Sequence, residues 1–98
     1  MLKHIVLFRR KADVPAQPVL EERLVAQMDT LVHQIDFIRE WKLSANELDR
    51  PICWGYALES AFDDVQALND YLFHPAHQAL IAELKPYFEW AAVDYTVR

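Results

Sequence analysis

The alternation of apolar and polar positions along the chain predicts four strands. Each stretch is rich in apolar, β-branched or aromatic residues and is too short for a packed helix. In the first of them His4, Val6 and Phe8 share one face, because successive side chains of a strand point to opposite sides. The four predicted strands are residues 3–9, 38–44, 53–62 and 90–97.

Apolar residues at spacings of three and four predict the helices that join these strands. The first helix begins at Pro18, a residue that suits a first turn, and should end near Asp36. Asp63 is the predicted N-cap of the second helix, and Gln66 completes a capping box three residues later. Pro75 then restarts the chain as a short third helix. The apolar stripe of the first helix consists of Leu20, Leu24, Met28, Leu31, Ile35 and Ile38.

The predicted order of elements is strand, helix, strand, strand, interrupted helix and strand. This is the order of an α+β, ferredoxin-like βαββαβ domain, in which helices cover one face of an antiparallel four-stranded sheet. We expect a single domain over residues 1–98, because no repeat or linker divides the chain. The other face stays apolar, and since such a face marks an interface, we expect a homodimer that pairs sheet to sheet. The apolar residues expected there are Ile5, Leu7, Ala91, Val93, Tyr95 and Val97.

Composition and charge exclude several classes of function. The chain has 98 residues, of which 53% are hydrophobic, and this suits one compact domain. Ten Lys and Arg residues against fifteen Asp and Glu give a net charge of −5, so the basic surface that binds nucleic acid is missing. We expect no membrane span, no signal peptide and, with a single Cys, no internal disulfide. These features predict a cytoplasmic protein that binds neither nucleic acid nor membrane.

The segment from Tyr71 to His77 holds the strongest candidates for chemistry. With Pro75 at the first helical position, His74 lies at the N-cap and His77 in the first turn. His77 shares a helical face with apolar residues, so we expect it to point at the sheet as a neutral imidazole, which can accept a proton. Two interpretations stay open: a core histidine held by one hydrogen bond, or an acid–base group that faces a ligand.

One further histidine and two tyrosines extend this candidate site. His4 can share the helix-covered face with His77, or it can be a polar residue at a strand end. The hydroxyls of Tyr71 and Tyr56 can orient a polar group of a substrate, although buried tyrosines also serve in packing. The residues that we expect to contact a ligand are Tyr56, Val6, Phe8, Met28 and Ile81.

The remaining histidines and the cysteine predict no metal site and no cofactor. His33 lies beside the stripe of the first helix and His74 is a cap, so we assign both a structural role. The pair of His74 and His77 has no acidic residue nearby to complete a metal site. Cys53 has no adjacent base and fits a small buried apolar residue. A single glycine cannot build a phosphate-binding loop.

The sequence resembles the stress-responsive A/B barrel domain (Dabb) family along its whole length. The resemblance implies a dimeric α+β barrel, in which two ferredoxin-like protomers face each other. The sequence departs from the family pattern after the second strand, where the usual Gly-x-Asn turn is replaced by Ser44-Ala45-Asn46. The segments that carry the resemblance are Lys3-His4-Ile5-Val6-Leu7-Phe8, His74-Pro75-Ala76-His77, Leu84-Lys85-Pro86-Tyr87 and Val93-Asp94-Tyr95.

The resemblance also implies residue roles. In the family's polyketide-cyclase branch, the positions of His4 and His77 line the pocket, and the second acts as general base in an aldol-type ring closure. A pocket tyrosine of that branch falls on Tyr71, whereas another, in the first helix, falls near Met28. The expected activity is therefore the binding of a small apolar, aromatic or polyketide-like molecule, with histidine-based cyclase or lyase chemistry if the protein is an enzyme. Two alternatives remain: a non-catalytic, stress-related structural protein and a cofactor-free oxygenase.

Overall fold

Four helices cover one face of a four-stranded antiparallel sheet, in a computed structural model that describes all 98 residues. The strands lie in the order β2-β3-β1-β4, so β1 is central and β2 and β4 form the edges. The α+β, ferredoxin-like order predicted from the sequence is confirmed. The elements are β1 (Leu2–Arg10), α1 (Pro18–Asp29), α2 (Leu31–Gln34), β2 (Glu40–Ala45), β3 (Tyr56–Phe62), α3 (Val65–Leu72), α4 (Pro75–Leu84) and β4 (Phe88–Thr96).

The register of the sheet places the polar residues of three strands side by side. His4 lies opposite Ser60 of β3 and opposite Asp94 of β4. Four residues further along β1, Phe8 lies opposite Tyr56 and Trp90. Because this face alternates with the other at every residue, all of these side chains point towards the helices.

The core fills the space between the sheet and the helices. The predicted stripe of the first helix points into it, since Leu24, Met28, Leu31 and Ile35 are buried. From the sheet, alternate residues of β1 and β3 meet this stripe. The side chains from the strands that are buried in the core are Leu2, Phe8, Leu58, Phe62 and Phe88.

The first helix is divided, and the prediction that it runs on to Asp36 is wrong. It ends at Asp29, and Leu31–Gln34 form a separate short helix. At the break the Thr30 hydroxyl donates a hydrogen bond to the Gln27 carbonyl at 2.7 Å. A threonine that bonds to the preceding turn competes with regular helical hydrogen bonding, which explains why the helix stops here while its apolar stripe continues.

The ends of the other elements also differ from the prediction by a few residues: β1, β2 and β4 are Leu2–Arg10, Glu40–Ala45 and Phe88–Thr96 rather than 3–9, 38–44 and 90–97, and α3 and β3 begin later than predicted. The N-cap of α3 is Asp64, whose carboxylate accepts from the Ala67 N–H at 2.8 Å, whereas the predicted cap Asp63 pairs with Arg39 on the surface. β3 begins at Tyr56 rather than at residue 53, because the Cys53 N–H donates to the Arg50 carbonyl in a turn.

The sheet face away from the helices is uncovered in the single chain, as the pattern predicted. Leu7 is 40% exposed, Val93 57%, Tyr95 48% and Val97 44%. These residues belong to β1 and β4 or follow directly after β4, while charged side chains such as Lys3 and Glu40, which contact each other, lie towards the β2 edge. None of the helices combines the length and the apolar character that crossing a membrane requires.

Candidate functional site

A cavity of about 290 Å³ lies between the sheet and the helices. Its wall is mostly apolar, and four side chains with polar atoms that can take part in chemistry stand together at one end. α4 forms one side of the cavity, and the helix-facing side chains of β1 and β4 form another. The lining residues are His4, Val6, Phe8, Met28, Leu31, Leu58, Tyr71, Leu72, His77, Leu80, Ile81, Leu84, Phe88, Trp90, Ala92 and Asp94.

The junction of α3 and α4 positions His77. Pro75 occupies the first turn of α4, and the N-cap His74 accepts a hydrogen bond from the Ala76 N–H through its Nδ1 at 3.1 Å, as the sequence predicted for a cap. In the same first turn, His77 Nδ1 lies 3.0 Å from the carbonyl oxygen of Leu72, which is the last residue of α3. A carbonyl oxygen only accepts, so Nδ1 carries the proton and Nε2 of the neutral ring is left with a free lone pair.

Burial keeps this ring neutral. The loss of hydration lowers the pKa of His77 below its usual value of 6.5, and the nearby His4 and His74 lower it further, against the opposing effect of the hydrogen bond that His77 donates to the Leu72 carbonyl. At neutral pH His77 is therefore a base, and its unprotonated nitrogen belongs to a side chain that lines the cavity.

His4 forms a second oriented imidazole beside the first. It is only 6% exposed, and its Nδ1 hydrogen-bonds to the carboxylate of Asp94 on the neighbouring strand. Ser60, directly opposite on β3, donates from its hydroxyl to the His4 carbonyl at 2.9 Å. Because Nδ1 is held by a carboxylate, Nε2 is again the nitrogen left for a ligand.

Tyr71 connects the two histidines. Its ring centre is 4.5 Å from that of His77 and 6.1 Å from that of His4. The residue is 2% exposed, and its burial raises the pKa of the phenol, so the hydroxyl stays protonated. This hydroxyl makes no hydrogen bond within the chain, which leaves it free to donate to a ligand.

Most of the residues proposed from the sequence lie at this cavity. His4, His77 and Tyr71 stand together at its polar end, and Val6, Phe8, Met28 and Ile81 line its wall. Tyr56 is not brought to the cavity: its ring stacks on Phe8 at 4.9 Å, and its hydroxyl bonds to Glu21. Tyr87 donates to the same carboxylate at 2.8 Å, so Tyr56 belongs to a hydrogen-bonded cluster at the start of α1.

Asp94 is the lining residue that the sequence reasoning missed. In the sequence Asp94 belongs only to one of the segments that resemble the family. The alternation of β4 that places Val93 and Tyr95 on the open face nevertheless also places Asp94 on the covered one. That it faces His4 follows from the register of β4 against β1. Trp90 and Ala92 share this face and line the cavity for the same reason.

The other candidate ligating side chains lie elsewhere. His33 is exposed, and Cys53 is half-buried rather than fully buried as the sequence predicted. The chain contains no group of three or more His, Cys, Asp or Glu side chains with the geometry to hold a metal ion.

Comparisons with known proteins agree with this architecture. A family model described as Stress Responsive A/B Barrel Domain matches residues 2–97. An uncharacterised protein of Streptomyces coelicolor is 39% identical over an alignment of 98 positions, which covers 97% of this chain and 98% of that protein. A dimeric protein with a ferredoxin-like fold from Bacteroides fragilis is 31% identical, with a TM-score of 0.80 over 98% of this chain and 95% of its own. A hydroxynitrile lyase from Passiflora edulis superimposes with a TM-score of 0.84 at 20% identity, over 99% of this chain and 93% of its own, a likeness of fold alone.

Proposed function

Since this chain belongs to the stress responsive A/B barrel domain family, as its sequence segments predicted, we propose that it binds a small, largely apolar molecule in this cavity and that His77 acts on it as a general base. One observation carries the proposal. The Leu72 carbonyl holds the proton of His77 on Nδ1, which leaves Nε2 unprotonated on a ring whose centre lies 4.5 Å from that of Tyr71, the residue with the free hydroxyl. A base and a hydrogen-bond donor at one end of an apolar cavity are the elements of proton abstraction next to a carbonyl.

The chemical step uses groups that already stand in place. Nε2 of His77 takes a proton from a carbon next to a carbonyl group; the electron pair of the broken C–H bond forms a carbon–carbon double bond, and the π pair of the carbonyl moves onto its oxygen. The Tyr71 hydroxyl, kept protonated by its raised pKa, donates a hydrogen bond to that oxygen as negative charge develops. His4, fixed by Asp94, also lies near Tyr71 and can contact the same polar group. A ring closure or a bond cleavage can follow from the resulting enolate.

The activity of a protein with the same fold does not identify the reaction of this chain. The Passiflora edulis protein with this fold is a hydroxynitrile lyase. Because a fold supports many reactions, the choice of a general base for this chain rests on the geometry of His77 and Tyr71.

We place the dimer contact on the open sheet face. The Bacteroides fragilis neighbour is dimeric. In this chain three apolar residues of β1 and β4 that point away from the helices are 40% to 57% exposed, namely Leu7, Val93 and Tyr95. Pairing two such faces removes this apolar surface from water.

Exchange of hydrogen for deuterium tests the general base without a known substrate. Benzylacetone, an uncharged ketone with an apolar body, loses its hydrogens next to the carbonyl to heavy water when a base removes them. We expect the protein to accelerate this exchange, measured by proton NMR, and His77→Ala to slow it by roughly 10²-fold, the usual share of one general base. Added imidazole should restore part of the rate, because it can occupy the space that the side chain leaves.

His33→Ala is the matched control, because His33 is exposed on α2, and its rate should equal that of the unaltered protein. Equal exchange in His77→Ala and the unaltered protein would show that His77 is not the base. The absence of any acceleration by the unaltered protein would contradict the catalytic part of the proposal and favour a purely structural role.

A further inference from the structure

We infer that the cavity selects uncharged amphiphiles, molecules with one hydroxyl or carbonyl head and an apolar body, and rejects carboxylates and phosphates of the same shape. This inference rests on the proposed function, since it names the class of ligand that the same cavity takes. Two features of the site carry it: the separation of polar from apolar side chains, and the absence of any positive charge able to pair with an anion.

The ionisable and hydroxyl-bearing side chains occupy only one end of the cavity, and at the other end the indole N–H of Trp90, opposite Phe8, is the one polar group of the lining side chains. His4, Tyr71, His77 and Asp94 stand together at the first end, while the cavity continues along β1 past Val6 to Phe8. His4 and Phe8 are four residues apart, which corresponds to roughly 13 Å along a strand. At the far end Phe8 packs edge-on against Phe88, with ring centres 5.2 Å apart. A fitting molecule therefore places a single polar head at the histidines and an apolar body towards the phenylalanines.

No basic side chain reaches this cavity. Of the ten Lys and Arg residues of the chain, none lines it. The acidic lining residue Asp94 is bonded to His4, and this pair has a net charge of minus one or zero, whichever protonation state the imidazole takes. His77 is kept neutral by its burial. The polar end can therefore donate hydrogen bonds but offers no net positive charge.

The start of α4 does not supply a site for an anion either. Backbone N–H groups at a helix N-terminus bind anions when they are free. Here the Ala76 N–H donates to the His74 ring, the Gln78 N–H donates to the His74 carbonyl and Pro75 has no N–H, so only the backbone N–H of His77 is left for an anion. An anionic head would lose its hydration without gaining a charged partner, which strongly disfavours its burial.

Three probes that share one apolar body separate charge from shape. They are para-propylphenol, para-propylbenzamide and para-propylbenzoate; at neutral pH only the last is charged. Binding is measured by calorimetry, and the carbon-13 and proton signals of the histidine rings report the location. We expect the phenol and the amide to move the signals of His4 and His77 but not of His33, and the benzoate to bind roughly tenfold or more weakly than the amide.

Each outcome is decisive. If the benzoate binds as tightly as the amide, charge selection is wrong while the proposed binding function stands. If the phenol binds and the amide does not, charge is not the deciding property and the inference is again wrong. If no probe moves His4 or His77, the cavity does not take such molecules and the proposed function itself fails.

Asp94→Asn tests the source of the selection. The substitution removes the negative charge of the lining and keeps a side chain of the same size beside His4. We expect the ratio of benzoate to amide dissociation constants to fall severalfold towards one. Asp13→Asn, the same change at an exposed position outside the cavity, should leave the ratio unchanged, so an equal effect of both variants would attribute the selection to overall charge and overturn the role of the cavity.

Discussion

Burial makes His77 harder to protonate in the folded chain than in the unfolded one, and this couples folding to pH. The unfolded chain takes up a proton at this residue near pH 6.5, whereas the folded chain needs a lower pH. Between these two pKa values the unfolded state holds more protons, so the free energy of unfolding decreases as the pH falls below 6.5. Above that pH His77 is neutral in both the folded and the unfolded state, so its contribution to the pH dependence vanishes.

The contribution of His77 is measured by urea denaturation at a series of pH values. We expect the fall in unfolding free energy below pH 6.5 to be shallower in His77→Gln than in the unaltered protein, because glutamine does not titrate. His33→Gln serves as control, since it makes the same substitution at an exposed residue away from the cavity, and its curve should keep the original slope. The same slope in His77→Gln would mean that this ring is as hydrated in the folded protein as in the unfolded chain.

Tyr56 lies on the helix-covered face of the sheet, as a ligand-binding residue should, but it does not line the cavity. Its hydroxyl donates to Glu21, and both burial and this carboxylate raise the pKa of the phenol. We expect Tyr56→Phe to lower the unfolding free energy by about 1 kcal/mol, the usual net value of a hydrogen bond, and to leave the binding of propylphenol unchanged. If Tyr56→Phe weakens the binding of propylphenol without lowering the unfolding free energy, Tyr56 contacts the ligand, and its assignment to the cluster with Glu21 is wrong.

At the scale of elements, the cap of α3 offers a test between two adjacent carboxylates. Asp64 accepts from the Ala67 N–H, whereas Asp63 forms a surface pair with Arg39. We expect Asp64→Ala to lower the unfolding free energy by about 1 kcal/mol, as the loss of an N-cap usually does. Asp63→Ala should cost less, because exposed ion pairs contribute little. Denaturation of both variants at one pH decides, and a larger loss in Asp63→Ala would favour the cap predicted from the sequence.

The elements that could be predicted were those specified by periodicity over many residues. Alternation gave the four strands and their covered faces, and the positions of His4 and Phe8 on one side of β1 follow from it. The single break at Thr30 and the choice of Asp64 over Asp63 depend on one hydrogen bond each, which a pattern of residue types does not contain. The order of elements is therefore far more predictable than their ends.

The candidate site shows the same division. His77 could be placed because Pro75 sets the start of α4 within a few residues of it. The pairing of His4 with Asp94 joins residues 90 positions apart, and it depends on how β4 aligns with β1. That register results from the packing of the whole sheet, so the sequence alone did not indicate the partner of His4.

At the scale of the whole molecule, the uncovered face is the surface through which we propose that two copies pair. The helices bury one face of the sheet and leave Val93 57% exposed on the other, next to Ile5 of β1. A small domain buries a modest share of its surface, so covering this apolar face adds stability that the single chain lacks. In the proposed dimer, a second copy would supply a matching apolar surface through a twofold arrangement.

A charge placed on this face should separate the two copies. We expect the unaltered protein to sediment at twice the monomer mass at micromolar concentration, and Val93→Glu to sediment as a monomer with an unchanged circular dichroism spectrum, because an unpaired carboxylate is costly in an apolar interface. Val19→Glu makes the same change at a residue that is 84% exposed on α1, so it should remain dimeric. A dimeric Val93→Glu would place the contact elsewhere, and dissociation of Val19→Glu would move it to the helices. If the unaltered protein is monomeric, the open face has some other role.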